Sequence, residues 1–296
     1  MSPNARGAAL MVGSMTAFTL NDACLKALGD TLPLMQTLLL RGLVVTVLMG
    51  AIAWRAGALR VDFARRDWGL IALRSLAEVA AAYFFLTALF NMPLASATAI
   101  LQTLPLAVTL GAALVLREPV GWPRLAAIAV GFCGMLLIVR PGADDFTVYS
   151  IFALCAVVAV TVRDLATRRM SAGVPNLTVA VAGALAVTLF AAGSAADAVW
   201  VPLGPREWVL LGLSSVLILV AYLLSVMVMR VGEVGFVAPF RYSALVVALV
   251  VGFLVFGEWP ATPTLIGAAI VVATGAFTLW RERRAALRRR NAASGK

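Results

Sequence analysis

Seven ionisable residues lie inside long apolar stretches of this 296-residue chain: Asp22, Arg41, Arg74, Glu78, Arg163, Asp164 and Arg241. A charge held in hydrocarbon costs several kcal/mol unless it is paired or wetted, so each is a functional candidate on energetic grounds. The chemistry these types offer is solute recognition, gating by ion pairs and, at the three carboxylates, carriage of protons. Metal and nucleophile chemistry is a poor fit, because the chain has no histidine, the commonest zinc ligand and general base. Cys24, Cys133 and Cys155 stand singly in apolar runs and read as small buried hydrophobes. No phosphate-cradling glycine loop followed by lysine occurs, so ATP hydrolysis is not expected. The expectation is a carrier without catalytic residues, metal or cofactor.

The elements that must position these charges follow from composition. Hydrophobic residues make up 62% of the chain and charged residues 13%, with a mean hydropathy of +0.98. A soluble domain carries about 25% charged residues, so this is an integral membrane protein. Ten apolar runs can be marked, at 7–28, 33–54, 67–90, 93–115, 122–139, 147–169, 177–196, 206–230, 234–256 and 263–281. Each is continuously apolar rather than alternating, which predicts spanning helices and not a barrel. The first run is too long for the apolar core of a signal peptide and lacks a small-residue cleavage site, so it reads as a retained span.

Arginine placement sets the expected orientation. With the N-terminus in the cytoplasm, 17 of the 24 basic residues fall on the cytoplasmic side, and only Lys26, Arg140 and Arg206 fall outside. The positive-inside rule therefore predicts that both termini are cytoplasmic. The net charge of +10 comes from these flanks, including RERRAALRRR at 281–290, and implies no nucleic-acid partner.

The two halves align with one another. LNDACLK at 20–26 matches VRDLATR at 162–168, and Pro33 matches Pro175, at an offset of 142. Tyr83 falls on Tyr222 and Gln102 on Arg241 at 139, and EPVGWP at 118–123 falls on EWPATP at 258–263 at 140. Five spans per half is an odd number, so the second half is expected to be inverted, the architecture of alternating-access carriers. The expected fold is all-α, with ten transmembrane helices in two five-helix repeats, residues 1–142 and 143–281, followed by a basic tail at 282–296.

At about 1.5 Å per residue, Asp22 and Arg41 fall in the outer half of the membrane, and Asp164 and Arg241 in the inner half. Two ionic clusters are expected: Asp22 with Arg41, supported by Asn21 and Gln102, as an outer closure, and Asp164 with Arg241, near Arg163, as an inner one. Arg74 and Glu78 share a helix face at i, i+4. Tyr83, Thr87, Thr98, Thr103, Tyr222, Ser225, Phe240, Tyr242 and Ser243 lie at levels between these charges. Aromatic faces with hydroxyls suit a planar metabolite carrying polar substituents. Four arginines against three carboxylates make no strong demand for an anion.

The first-span LNDACLK, ATAILQTLPL at 97–106, the REP and GEWP turns before the fifth and tenth spans, and IVRPG at 138–142 resemble the EamA-type branch of the drug/metabolite transporter superfamily. VRDLATRR at 162–169 and APFRYSAL at 238–245 resemble the bacterial riboflavin uptake carriers and also the S-adenosylmethionine uptake carriers. The resemblance implies a cavity lined by spans 1, 3, 4, 6, 8 and 9, with Asn21, Tyr83, Gln102, Asp164, Tyr222 and Arg241 in it. It implies riboflavin uptake across a bacterial inner membrane first, S-adenosylmethionine uptake second, and amino-acid or metabolite export third. A membrane enzyme with an Asp-based site on Asp22 or Asp164, and a structural or regulatory membrane subunit, are the readings from outside the carrier class. Glycines in GFCG at 131–134 and at Gly267 and Gly275 permit close helix packing, within one chain or between copies.

Overall fold

The computed structural model describes residues 3–59, 62–117, 121–140, 147–194, 199–231 and 234–294. Among these residues all regular structure is helical: α1 (Pro3–Gly29), α2 (Leu34–Arg55), α3 (Arg65–Asn91), α4 (Leu94–Leu101), α5 (Leu104–Val115), α6 (Trp122–Val139), α7 (Val148–Arg169), α8 (Asn176–Ser194), α9 (Pro205–Val231), α10 (Val234–Val237), a 3-10 turn (Ala238–Tyr242), α11 (Ser243–Phe256) and α12 (Thr262–Ser294). The ten expected apolar runs fall on these helices. Eight helical stretches are long and apolar enough to cross a membrane, counting Leu94–Val115 as one. At the fifth and tenth runs the apolar portions are shorter, Leu125–Val139 and Thr262–Thr278. The basic tail continues α12 as helix to Ser294. Glu118, Pro119 and Val120 of EPVGWP, Pro141 and Gly142 of IVRPG, and the expected repeat boundary lie outside the described residues.

Proline punctuates this order. Helix α2 follows Pro33, α4 follows Pro93, and α9 opens on Pro205, positions where the missing N–H would have had no helical partner. Gly257 closes α11 in the left-handed conformation, φ 65°, which a residue without Cβ adopts at no cost.

Two of the expected continuous spans are broken. The run at 93–115 divides at Gln102 and Thr103, and the run at 234–256 passes through the 3-10 turn. Pro105 and Pro239 account for both: each lacks the donor that an α-helix needs, and each ring crowds the carbonyl four residues earlier.

The chain forms two compact units. The first comprises residues 1–20, 93–146 and 217–296, the second residues 21–92 and 147–216, so each draws on both halves of the sequence. In the second unit α3 packs on α7 and α8, and α2 on α8. Gly42 sits against Thr188, where a Cβ would meet the hydroxyl at 2.6 Å. In the first unit α6 packs on α12 and α4 on α11. Here Gly134 and Gly267 face one another so closely that a Cβ at 134 would lie 2.9 Å from the Gly267 carbonyl. These small residues serve packing within the chain. Leu76, Leu114, Val216 and Leu254 stand exposed, apolar side chains suited to lipid.

Candidate functional site

In the second unit, charge is concentrated on α3 and α7. Glu78 is the hub: its Oε2 lies 3.5 Å from Arg74 Nη1 on the same helix, and its Oε1 accepts a hydrogen bond from Arg163 Nη1 at 3.2 Å. Arg163 Nε donates in turn to Asp164 Oδ1 at 3.0 Å. Arg74 also donates to Thr167 Oγ1 and to the Val179 carbonyl, both at 3.2 Å, which ties α3 to α7 and α8. Gly183 on α8 makes room, since a Cβ there would come 2.8 Å from Arg74 Nη1. Two cations and two anions thus form one charge-balanced ladder. Balance is the condition under which such groups are tolerated away from water.

Asn21, Asp22 and Arg41 form a second polar group in the same unit. The structure does not pair Arg41 with Asp22 directly; the Asn21 amide stands between them. Arg41 Nη2 donates to Asn21 Oδ1 at 3.3 Å, and Asn21 Nδ2 donates to Asp22 Oδ1 at 2.9 Å. Asn21 is buried, so its orientation is fixed by packing as well as by these bonds.

Aromatic side chains gather on α3, α7 and α8. Tyr83 makes an edge contact with Phe190 at 6.2 Å between ring centroids and lies 6.4 Å from Phe152, which itself packs edge-on to Phe84 at 5.6 Å. Such geometry follows from the ring quadrupole. Tyr83 was legible from its repeat position, but Phe84, Phe152 and Phe190 were not singled out. Only a helical-wheel overlay of three separate spans could have grouped them.

In the first unit, Gln102 occupies the break separating α4 from α5, and its Nε2 donates to the Arg241 carbonyl at 3.1 Å. Two residues that align across the sequence halves therefore touch, each at a helix break. Gln102, expected beside the Asp22 group, is bonded to Arg241 within the first unit. Thr98 and Thr103 are buried beside the α4 break, and Thr103 Oγ1 donates to the Ile100 carbonyl at 2.6 Å. Tyr242 is buried over Gly275, where any Cβ would overlap its hydroxyl, and that hydroxyl and Ser243 Oγ have no hydrogen-bond partner among the described residues. Phe240 stacks on Phe236 at 5.8 Å, and Tyr222 lies half-buried on α9.

Charged groups elsewhere do structural work. Lys26 donates to the Met92 carbonyl at 2.7 Å, satisfying the C-terminal end of α3, and Glu258 accepts the Leu94 N–H at 2.9 Å at the start of α4. Both signs agree with the helix dipole.

Comparison with known proteins gives a consistent picture. The model of the EamA-like transporter family matches residues 5–140. A riboflavin transporter of Vibrio cholerae is 31% identical over 236 residues, 79% of each chain. An S-adenosylmethionine uptake transporter of Rickettsia conorii is 28% identical over 196 residues, 65% of each, and a pseudopaline exporter of Pseudomonas aeruginosa is 26% identical over 272 residues, 90% of this chain and 93% of that one. A solved protein crystal structure superposes with a TM-score of 0.64 at 21% identity, covering 93% of this chain and 98% of the other, a likeness of fold.

Proposed function

The chain belongs to the EamA-like transporter family, within the drug/metabolite transporter superfamily, and is a multi-pass membrane transporter; from that premise we propose that it carries riboflavin into the cell by alternating access. The observation that carries the riboflavin reading is the Tyr83, Phe84, Phe152 and Phe190 cluster on α3, α7 and α8, two of which, α3 and α7, also carry a charge-balanced polar ladder. A flat, polyhydroxylated and nearly neutral solute suits aromatic faces with neutralised polar groups nearby. The Vibrio cholerae relative is named for that substrate, which supports the same choice.

In this reading both termini are cytoplasmic, and two inverted repeats, 1–142 and 143–281, exchange roles during transport. The ladder Arg74, Glu78, Arg163 and Asp164 fastens α3 to α7 in the present conformation. Parting α3 from α7 requires the Arg163–Glu78 bond to break, and solute binding must offset that loss. Nothing in the family assignment calls for chemistry on the solute, which emerges unchanged.

The test is counterflow of radiolabelled riboflavin into liposomes holding the purified protein, with Arg241→Ala alongside. Accumulation by the wild type, lost in the variant, supports the reading. Wild-type liposomes that accumulate S-adenosylmethionine or an amino acid but no riboflavin would replace it.

A further inference from the structure

Arg41 is an in-span cation whose hydrogen bonding stops short of its needs. It lies on α2, about 10 Å from the helix start at 1.5 Å per residue. Its guanidinium makes a single hydrogen bond, from Nη2 to Asn21 Oδ1, and no direct ion pair among the described residues. The Nε donor is buried and has no hydrogen-bond partner among the described residues. A buried donor left unmet costs about 1–3 kcal/mol, more on a charged group, and native structures rarely retain that loss without a use.

The helix that carries it cannot easily turn the donor elsewhere. Gly42 is pressed on Thr188 of α8, and Thr46 shares a hydrogen bond with the same hydroxyl at 3.0 Å. Asn21 holds the guanidinium from the other side. The buried donor left unmet is Nε–H, which forms with a proton of Nη2 the side-on edge of the guanidinium, two parallel donors suited to two neighbouring acceptors.

We propose that this edge of Arg41 is the solute-recognition element of the carrier, taking a neutral planar group that presents two adjacent acceptors. The proposal rests on the riboflavin reading and deepens it. Neutrality follows from the surroundings: Asp22 is linked to Arg41 through Asn21, and Glu78 is already paired with Arg74 and Arg163, so a solute carboxylate would add a further anion to a site already compensated. A sulfonium cation is repelled by the same arginine. A flavin satisfies the description, because its C4 carbonyl oxygen and its N5 are neighbouring acceptors on one ring edge.

The test exploits that edge. In 5-deazariboflavin, N5 becomes C–H with the shape unchanged, removing one of the two acceptors. In competition against labelled riboflavin counterflow, the wild type should prefer riboflavin to 5-deazariboflavin by about tenfold, the scale of one lost hydrogen bond to a charged donor. Arg41→Gln should bind both more weakly and erase the preference. Arg41→Lys keeps the charge but not the paired donors, so it too should lose discrimination while inserting normally. If Arg41→Gln fails to fold, Arg41→Lys and the wild-type ligand pair carry the result. Equal treatment of the two flavins by the wild type, or a preference that survives in Arg41→Lys, would overturn the assignment. A wild type that moves no riboflavin at all would remove the parent reading, and the assignment with it, by a distinct outcome.

Discussion

Removing the Glu78 carboxylate tests the ladder at its hub. Glu78→Gln changes the four-group cluster from neutral to a net +1 while keeping the side chain's size. The two bridges it loses are unequal. Arg163 meets Glu78 at 3.2 Å in hydrogen-bonding geometry, from a different helix, and both side chains are 27% exposed. Arg74 meets it at 3.5 Å along one helix, and Arg74 keeps its bonds to Thr167 and the Val179 carbonyl after the change. Polar contacts within membrane proteins average about 0.6 kcal/mol and reach about 1.7, and i, i+4 ion pairs give about 0.3–0.5. Allowing for the partial exposure, the expected coupling is roughly 1 kcal/mol for Arg163–Glu78 and about 0.4 for Arg74–Glu78. Double-mutant cycles with Gln at 74, 78 and 163, read from reversible unfolding in mixed detergent micelles, isolate these terms. A coupling near zero for Arg163–Glu78, or one smaller than that of Arg74–Glu78, would refute the view that Glu78 fastens α3 to α7.

Four further outcomes follow from the packing. Tyr242→Phe removes a buried hydroxyl without a described partner, so unfolding in the same micelles should shift by less than about 0.5 kcal/mol, whereas Gly275→Ala drives a methyl into that ring and should destabilise by about 1–3 kcal/mol. Gly267→Leu must push α12 off α6 at the Gly134 contact, and should abolish a monodisperse peak in size-exclusion chromatography. Glu258→Ala strips the acceptor from the Leu94 N–H at the start of α4; a loss of about 1 kcal/mol and faster hydrogen exchange at Leu94 are expected.

The helices were legible because lipid allows little else: a continuous apolar run must close its own hydrogen bonds, so run length predicts helix. The breaks at Gln102 and at 238–242 were missed. Their signal was present as Pro105 and Pro239, yet apolar composition does not fall at either point, and hydropathy alone reads through them. The charged candidates were legible one by one, since each is an energetic anomaly. Their partners were less so. Arg74 and Glu78 share a face by spacing, but the Glu78–Arg163 bond depends on how α3 packs on α7. The insertion of Asn21 between Arg41 and Asp22 is finer still: the pair was right in neighbourhood and wrong in contact, because adjacent residues on one helix competed for the same guanidinium.

The Gln102–Arg241 contact separates two ways in which a substitution at 241 could stop transport. The acceptor is the backbone carbonyl of Arg241, so Arg241→Ala leaves the bond in place and removes only the guanidinium. Gln102→Ala does the reverse: it deletes the donor that reaches from the α4 break to the 3-10 turn and leaves the cation untouched. If the turn is held by that amide, Gln102→Ala should lower unfolding stability by about 1 kcal/mol, while Arg241→Ala should lose uptake with stability nearly unchanged. Equal loss of stability in both variants would mean that the guanidinium is itself part of the scaffold, and a transport defect in Arg241→Ala would then say nothing about solute or gating. Stability and counterflow measured on the same two proteins therefore decide whether Arg241 acts on what passes or on what holds.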